Sequence, residues 1–198
     1  MEKHYQAWRK AFLLHNIDLK EDEYYPLEGS KLLEIAKKIL IDNDQSPSLA
    51  SDILKKKEYY YSKSFKVSFY KDVIKIIDYL KDFYSLGIVT ATKTKTFQTT
   101  IPKDFMKKFN IIVTGDQTRN GKPSPDPYLL AAKKLNKKFS NCIVVENAPL
   151  GVLSAKNAGM FCIAISSTVP KIYLSKADII INKFNEILKL NVINKFKP

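Results

Sequence analysis

The stretch Cys142-Ile143-Val144-Val145-Glu146-Asn147-Ala148-Pro149-Leu150-Gly151-Val152 passes from a short apolar run, through two polar residues and a turn, into a segment of helical period ending near Ala158. An apolar run without polar alternation reads as a strand buried on both faces, the kind that parallel sheets use. Working outward, the same unit recurs. Strands are expected over Gly87 to Ala91, Ile111 to Thr114, Phe161 to Ile165 and Asp178 to Ile181. Between and around them, helical period predicts helices over Asp72 to Tyr84, Thr96 to Phe109, Pro127 to Leu135 and Phe184 to Leu190. Short apolar strands alternating with amphipathic helices predict an α/β fold, a Rossmann-like doubly wound parallel sheet.

Upstream the rhythm is different. From Glu2 to about Ser64 the pattern is helical, with Trp8, Phe12 and Leu13 on one face and Leu32, Leu33, Ile35, Ala36, Ile39 and Leu40 at helical spacing. Gly29-Ser30 and Ser46-Pro47-Ser48 supply the breaks. A small helical domain over residues 1–68 and an α/β core over residues 69–198 are therefore expected, the boundary resting on the change of period alone.

Composition narrows the function. At 198 residues and 45% hydrophobic, the chain can bury one full core and a small appendage. No apolar run approaches the roughly 18 residues of a membrane span, and Met1-Glu2-Lys3-His4-Tyr5 opens no signal peptide, so a soluble cytoplasmic protein is expected. Cys142 and Cys162 sit inside apolar runs and read as small buried hydrophobes. A net charge of +13 raises nucleic-acid binding, yet the lysines are scattered and the only arginines are Arg9 and Arg119, so the basic field suits a small anionic substrate better.

In open parallel sheets, ligands bind beyond the carboxyl ends of the strands. The residues there are polar. The first strand runs into Thr90-Ala91-Thr92-Lys93; the second leads through Gly115-Asp116 to Gly121-Lys122-Pro123-Ser124-Pro125-Asp126-Pro127; the third ends in Glu146-Asn147. Hydroxyls, backbone N–H groups and a lysine suit an anion, and carboxylate or amide oxygens suit a hard cation. Each signal alone is as well explained by a cap or a turn. Their order along one sheet edge makes the set specific.

On Thr114-Gly115-Asp116, Gly121-Lys122-Pro123-Ser124-Pro125-Asp126-Pro127-Tyr128 and Val144-Val145-Glu146-Asn147-Ala148-Pro149-Leu150-Gly151-Val152, the chain resembles the haloacid dehalogenase superfamily. His4-Tyr5-Gln6-Ala7-Trp8 is similar to the start of the helical cap in its beta-phosphoglucomutase-like branch. The resemblance implies magnesium-dependent phosphoryl transfer, by a phosphatase or phosphomutase, on a small phosphorylated metabolite such as a sugar phosphate. Thr90, with the N–H of Ala91, would grip the phosphoryl group, and Lys122 would balance its charge. Glu146 and Asn147 would stand on the metal side; the family more often has a carboxylate where Asn147 stands. His4 and Lys31 are the cap candidates for substrate contact, with a solvated histidine and a solvated lysine as the bland alternatives, and Thr92 and Lys93 would line the crevice.

The resemblance also implies a first strand ending in an Asp-x-Asp pair that supplies nucleophile and general acid. The one Asp-x-Asp here, Asp42-Asn43-Asp44, follows a run of helical period and reads as a helix-end loop. The expectation is a core whose first strand is absent, with the flanking strands either pairing directly or leaving a cleft, and a chain inactive as it stands. A non-catalytic phosphate-binding module and a basic nucleic-acid binder are the rival readings.

Overall fold

A computed structural model describes residues 2–64 and 69–195. The amino-terminal half is helical: α1 (Glu2–Leu13), α2 (Glu21–Tyr24), α3 (Leu32–Asp42) and α4 (Ala50–Ser64), with 3-10 turns at Tyr25–Leu27 and Pro47–Leu49. The α/β half follows as α5 (Val73–Leu80), β1 (Gly87–Val89), α6 (Thr94–Thr100), α7 (Lys103–Met106), β2 (Ile111–Val113), α8 (Asp126–Lys134), β3 (Ile143–Glu146), α9 (Pro149–Asn157), β4 (Phe161–Ile165), β5 (Ile179–Ile181) and α10 (Asn191–Lys195). The expected boundary between residues 68 and 69 abuts positions 65–68, which lie outside the described residues.

Two expectations need correcting. The helix read across Thr96 to Phe109 is two helices, because Pro102 holds Ile101 in an extended conformation (φ −96°, ψ 132°) and ends α6 there. The segment Phe184–Lys189 is a 3-10 helix, opened by Glu186, whose carboxylate accepts from the backbone N–H of Lys183. Asp42 closes α3, and Asp44 takes a left-handed conformation (φ 54°), so Asp42-Asn43-Asp44 is the helix-end loop that its period predicted.

All strand pairs are parallel. They form two separate sheets, β1 with β2 and β3-β4-β5, rather than one continuous sheet. Alternation along β4 sorts the core into two faces. Cys162 and Ala164 join a cluster with Tyr128 and Ala132 of α8 and Val152 of α9, and this cluster continues into Trp8, Phe12, Ile39 and Ile53 of the helical half. Ile163 and Ile165 join Ile76 and Leu80 of α5, Ile181 and Ile187 on the other side. The three-stranded sheet is thus covered on both faces. Cys162 is fully buried and Cys142 half-buried, both free thiols, and burial pushes the first up to about 12.

The helical half packs α4 against α1 and α3. At its centre lies a polar cluster among aromatic rings. His4 stacks on Tyr61 (4.1 Å between centroids), and Lys57, only 2% exposed, places its ammonium 3.2 Å from His4 Nδ1 and over the rings of Trp8 and Tyr61. With Lys57 donating, the neutral imidazole accepts at Nδ1 and carries its proton on Nε2. Burial, and next the Lys57 charge, lower His4 to about 3; burial lowers Lys57 to about 8, against the pull of Glu28 and Glu58. Glu28, half-buried beside them and accepting from the Tyr24 hydroxyl, is raised chiefly by desolvation.

These shifts fix the sign of a pH dependence. Between pH 6.5 and about 3 the unfolded chain protonates His4 and the folded chain does not, so stability falls as pH drops through that window. Between about 8 and 10.5 the folded chain sheds the Lys57 proton first, so stability rises with pH. Tyr25 and Tyr61, raised by burial to about 12, act in the opposite sense above about pH 10, and Cys162, raised likewise, does so from about pH 9, offsetting part of the Lys57 gain. Thermal unfolding is therefore expected to show a higher midpoint at pH 9.5 than at pH 7.5, and Lys57→Met to remove that rise. Identical midpoints in the parent and the variant across this range would contradict the burial of a titrating lysine.

Candidate active site

The carboxyl ends of β1 and β3 meet at Lys122. Its side chain is 6% exposed; Nζ contacts Glu146 Oε1, lies 3.4 Å from the carbonyl oxygen of Val89 and sits over the Tyr128 ring. The loop before α8 delivers it from Gly121-Lys122-Pro123, where the Lys122–Pro123 peptide is cis. Thr90 follows Val89 directly. Its N–H donates to Val113 (2.9 Å), continuing the β1–β2 ladder by one residue, and its hydroxyl accepts from the N–H of Thr92 (3.2 Å), turning the chain. That turn uses a lone pair of the hydroxyl and leaves its proton available to an acceptor.

Glu146 is 8% exposed and held by four donors. Oε1 accepts from Lys122 and from the Tyr128 hydroxyl (2.7 Å); Oε2 accepts from the backbone N–H groups of Asn147 (2.9 Å) and Ala148 (3.1 Å). Burial opposes its charge, but the Lys122 ammonium and these hydrogen bonds outweigh that and keep it below the ordinary carboxylate value. Tyr128 moves the other way: burial, then the Glu146 charge, raise its hydroxyl far above 10, so it stays a donor. α9 starts directly over this carboxylate. A Cβ on Gly151 would stand 2.1 Å from Glu146 Oε1, so only glycine allows the approach.

The neighbouring loops are tied together. Asp116 Oδ1 accepts from the Thr114 hydroxyl (2.7 Å) and from the N–H and hydroxyl of Thr94 (3.0 and 2.9 Å), and these bonds, led by Thr114, hold its carboxyl at about 2. Thr92 and Lys93 lead into α6, Lys93 as its exposed N-cap residue. Asn147 donates from Nδ2 to the Thr168 hydroxyl (3.2 Å).

The structure gathers part of the expected set. Thr90, Ala91, Lys122, Glu146 and Asn147 come together at one mouth, with Thr92 and Lys93 on its rim. His4 and Lys31 do not join them. His4 is engaged by Lys57 inside the helical half. Lys31 donates to the carbonyl oxygens of Thr118 (3.0 Å) and Arg119 (2.8 Å), bracing the helical half against the loop before Lys122 and keeping one of its three N–H donors. Nearby, Leu150 N–H donates to Glu28 O (3.2 Å), and Gly29, at φ +99°, packs where a Cβ would lie 3.0 Å from the Gly151 nitrogen. Tyr128 and Lys57 were missed. Tyr128 follows Pro127 in a quoted motif, but its hydroxyl partner lies 18 residues away; Lys57 stands in a run of three lysines whose burial no pattern marks.

The residues fit a magnesium ion poorly. A carboxylate offers about four lone-pair sites, and those of Glu146 are taken by protein donors. Among the described residues, no three His, Cys, Asp or Glu side chains gather into a metal site, and Asn147, which donates from Nδ2, offers an amide oxygen at the mouth. Glu146 holds Lys122 and the start of α9, and its committed oxygens speak against the metal-ligand role that the resemblance implied.

Comparison with known proteins places this geometry. The family model of haloacid dehalogenase-like hydrolases matches residues 2–165. Among curated proteins, the chain is 32% identical over 103 residues to validoxylamine A 7'-phosphate phosphatase of Streptomyces hygroscopicus subsp. limoneus, covering 52% of this chain and 48% of that protein. It is 38% identical over 77 residues to hexitol phosphatase A of Escherichia coli, covering 39% and 36%. The matched segments thus span half or less of these relatives. Among solved structures, the beta-phosphoglucomutase of Clostridium difficile superposes with a TM-score of 0.81 at 25% identity, over 98% of this chain and 89% of that one. With the parallel sheets, the mouth at Lys122 and a family match over most of its length, the chain belongs to the haloacid dehalogenase-like hydrolases, on their beta-phosphoglucomutase-like branch.

Proposed function

We propose that the mouth at Thr90, Ala91 and Lys122 binds the phosphoryl group of a small phosphorylated metabolite, such as a sugar phosphate, and serves a phosphatase or phosphomutase reaction. The observation that carries the reading is the burial of Lys122 between the Val89 carbonyl and Glu146, one residue from the Thr90 hydroxyl. An ammonium fixed in a low-dielectric setting acts on an incoming anion without reorganising, and this is the main contribution proteins make to phosphoryl transfer. Thr90 donates from its hydroxyl and Ala91 from its backbone N–H. Relatives whose names specify phosphatases of phosphorylated small molecules support the substrate class. Magnesium, which the resemblance implies, would find the amide oxygen of Asn147 but both oxygens of Glu146 engaged.

Turnover needs a nucleophile. Among the described residues, the carboxylate in contact with Lys122 is that of Glu146, and its four donors make it a poor attacking group. Asp42 and Asp44 lie at the end of α3 in the helical half. The chain as it stands is therefore a phosphate binder with negligible turnover. The same observation favours a second reading, a phosphate-binding module without catalysis, which shares this cradle.

Two outcomes are expected. With p-nitrophenyl phosphate and magnesium, release of nitrophenol should stay at background, while titration calorimetry with inorganic phosphate detects saturable binding; robust turnover would overturn the argument about the nucleophile. Thr90→Val should weaken phosphate binding by about ten-fold, the worth of one hydrogen bond to a charged group, and cost about 1 kcal/mol of stability through the lost bond from the Thr92 N–H. Lys122→Met should abolish binding and also destabilise the fold by about 3 to 5 kcal/mol, because it leaves Glu146 buried without its cation. Unchanged phosphate affinity in both variants would remove the reading.

A further inference from the structure

β1 and β2 end side by side, Val89 opposite Val113, so the turn that follows one strand lies against the turn that follows the other. The first carries the anion grip. Its entry is fixed by the Thr90 N–H on Val113 O (2.9 Å) and its exit by the Phe97 N–H on Lys93 O (2.9 Å), where α6 begins. Between those points, among the described residues, the bond internal to Thr90-Ala91-Thr92-Lys93 runs from the Thr92 N–H to the Thr90 hydroxyl (3.2 Å). A turn resting on one bond of that length does not by itself fix where the Thr90 hydroxyl and the Ala91 N–H point.

The segment after β2 supplies the remaining hold. Gly115 lies so close to the first turn that a Cβ there would stand 2.1 Å from the Ala91 carbonyl oxygen, and its N–H donates to Thr92 O (2.9 Å). Asp116 Oδ1 accepts from the N–H and the hydroxyl of Thr94 (3.0 and 2.9 Å) and from the Thr114 hydroxyl (2.7 Å), and the two hydroxyls lie 2.6 Å apart. Thr114 is buried and Asp116 exposed, so the cluster is rooted in the core at one end and reaches the surface at the other. Ala91, Thr92 and Thr94 are thereby each held from the neighbouring turn. Bonds to an ionised acceptor are the stronger kind, which makes the carboxylate the firmest point of this joint.

The two properties of Asp116 act on an anion with opposite signs. Its charge, on the same sheet edge as the mouth, repels a phosphoryl group; its bonds hold the turn that grips one. Exposure to solvent and salt weakens the repulsion, whereas the bonds are spent wholly on the turn. We infer that Asp116 is a positioning residue of the mouth: acting through Thr94, with Gly115 beside it, it sets the Thr90–Thr92 turn so that the Thr90 hydroxyl and the Ala91 N–H converge on one anion, and its net effect is to strengthen anion binding in spite of its own charge. The inference rests on the phosphate reading, which gives Thr90 and Ala91 their role.

The test is titration calorimetry of inorganic phosphate into the full chain. Asp116→Ala should weaken binding about ten-fold, Thr94→Val, which changes no charge, about three-fold, and Asp116→Asn, which keeps an oxygen acceptor, should recover most of the loss. In the Thr90→Val background, Asp116→Ala should cost less than it does alone, because both losses pass through the same hydroxyl. Without phosphate, Asp116→Ala should speed amide exchange at Thr92 and Thr94 about ten-fold and leave β3 and β4 unchanged. Tighter phosphate binding by Asp116→Ala and Asp116→Asn alike would show a charge and no joint, and unchanged exchange at Thr92 would overturn the inference without any ligand present. Losses that multiply with Thr90→Val would also overturn it. A parent chain that binds no phosphate removes the phosphate reading and this inference together, whereas a parent that binds it no better than Asp116→Ala removes this inference alone.

Discussion

The buried pair of Lys122 and Glu146 is the constraint on which the α/β half depends. Neither charge could stand alone where it lies, since one unpaired would cost several kcal/mol. Its neighbours are arranged around that demand. Tyr128 turns its hydroxyl inward from α8, α9 begins where Asn147 and Ala148 can both donate, and residue 151 is glycine so that the helix start clears the carboxylate. Lys122 also reaches Val89, which makes it the tie between two sheets that share no backbone ladder.

The same pair limits what the mouth can do. With its charge partly offset by Glu146, the Lys122 ammonium needs the Thr90 hydroxyl and the Ala91 N–H beside it to hold an anion. The +13 charge of the chain adds attraction at long range, which raises encounter more than hold. Glu146 has its oxygens committed to four donors, which speaks against a further role as metal ligand. Its position after a strand was visible in sequence; its role was set by residues 122 and 128, which no local pattern connects to it.

That contrast describes what was legible. The strands were, because Ile143-Val144-Val145 and Phe161-Cys162-Ile163-Ala164-Ile165 are apolar on both faces and bounded by turns, a purely local signal. So was the helical end of Asp42-Asn43-Asp44. The break at Pro102 was readable too, but the apolar period on either side of it competed and carried the reading through. The partners of His4 and Lys31 were not legible: Lys57 lies 53 residues away and the Thr118 and Arg119 carbonyls 87 and 88. Placing a histidine in a first helical turn does not tell whether it faces a substrate or a lysine.

The gap between β1 and β3 is bounded by helices on both faces. Closing it would require β1 and β3 to approach to the roughly 4.8 Å of paired strands. α8 prevents this from one face, since it packs on β1 and β2 while its Tyr128 is fixed to Glu146 at the end of β3. α5 does so from the other: Asp78 is tied by Lys108 (2.6 Å) to the segment preceding β2, and Ile76 and Leu80 are packed on β4 and β5. Each sheet is therefore anchored to both helices independently of the other. Bringing β1 and β3 together would have to strip one of these anchors.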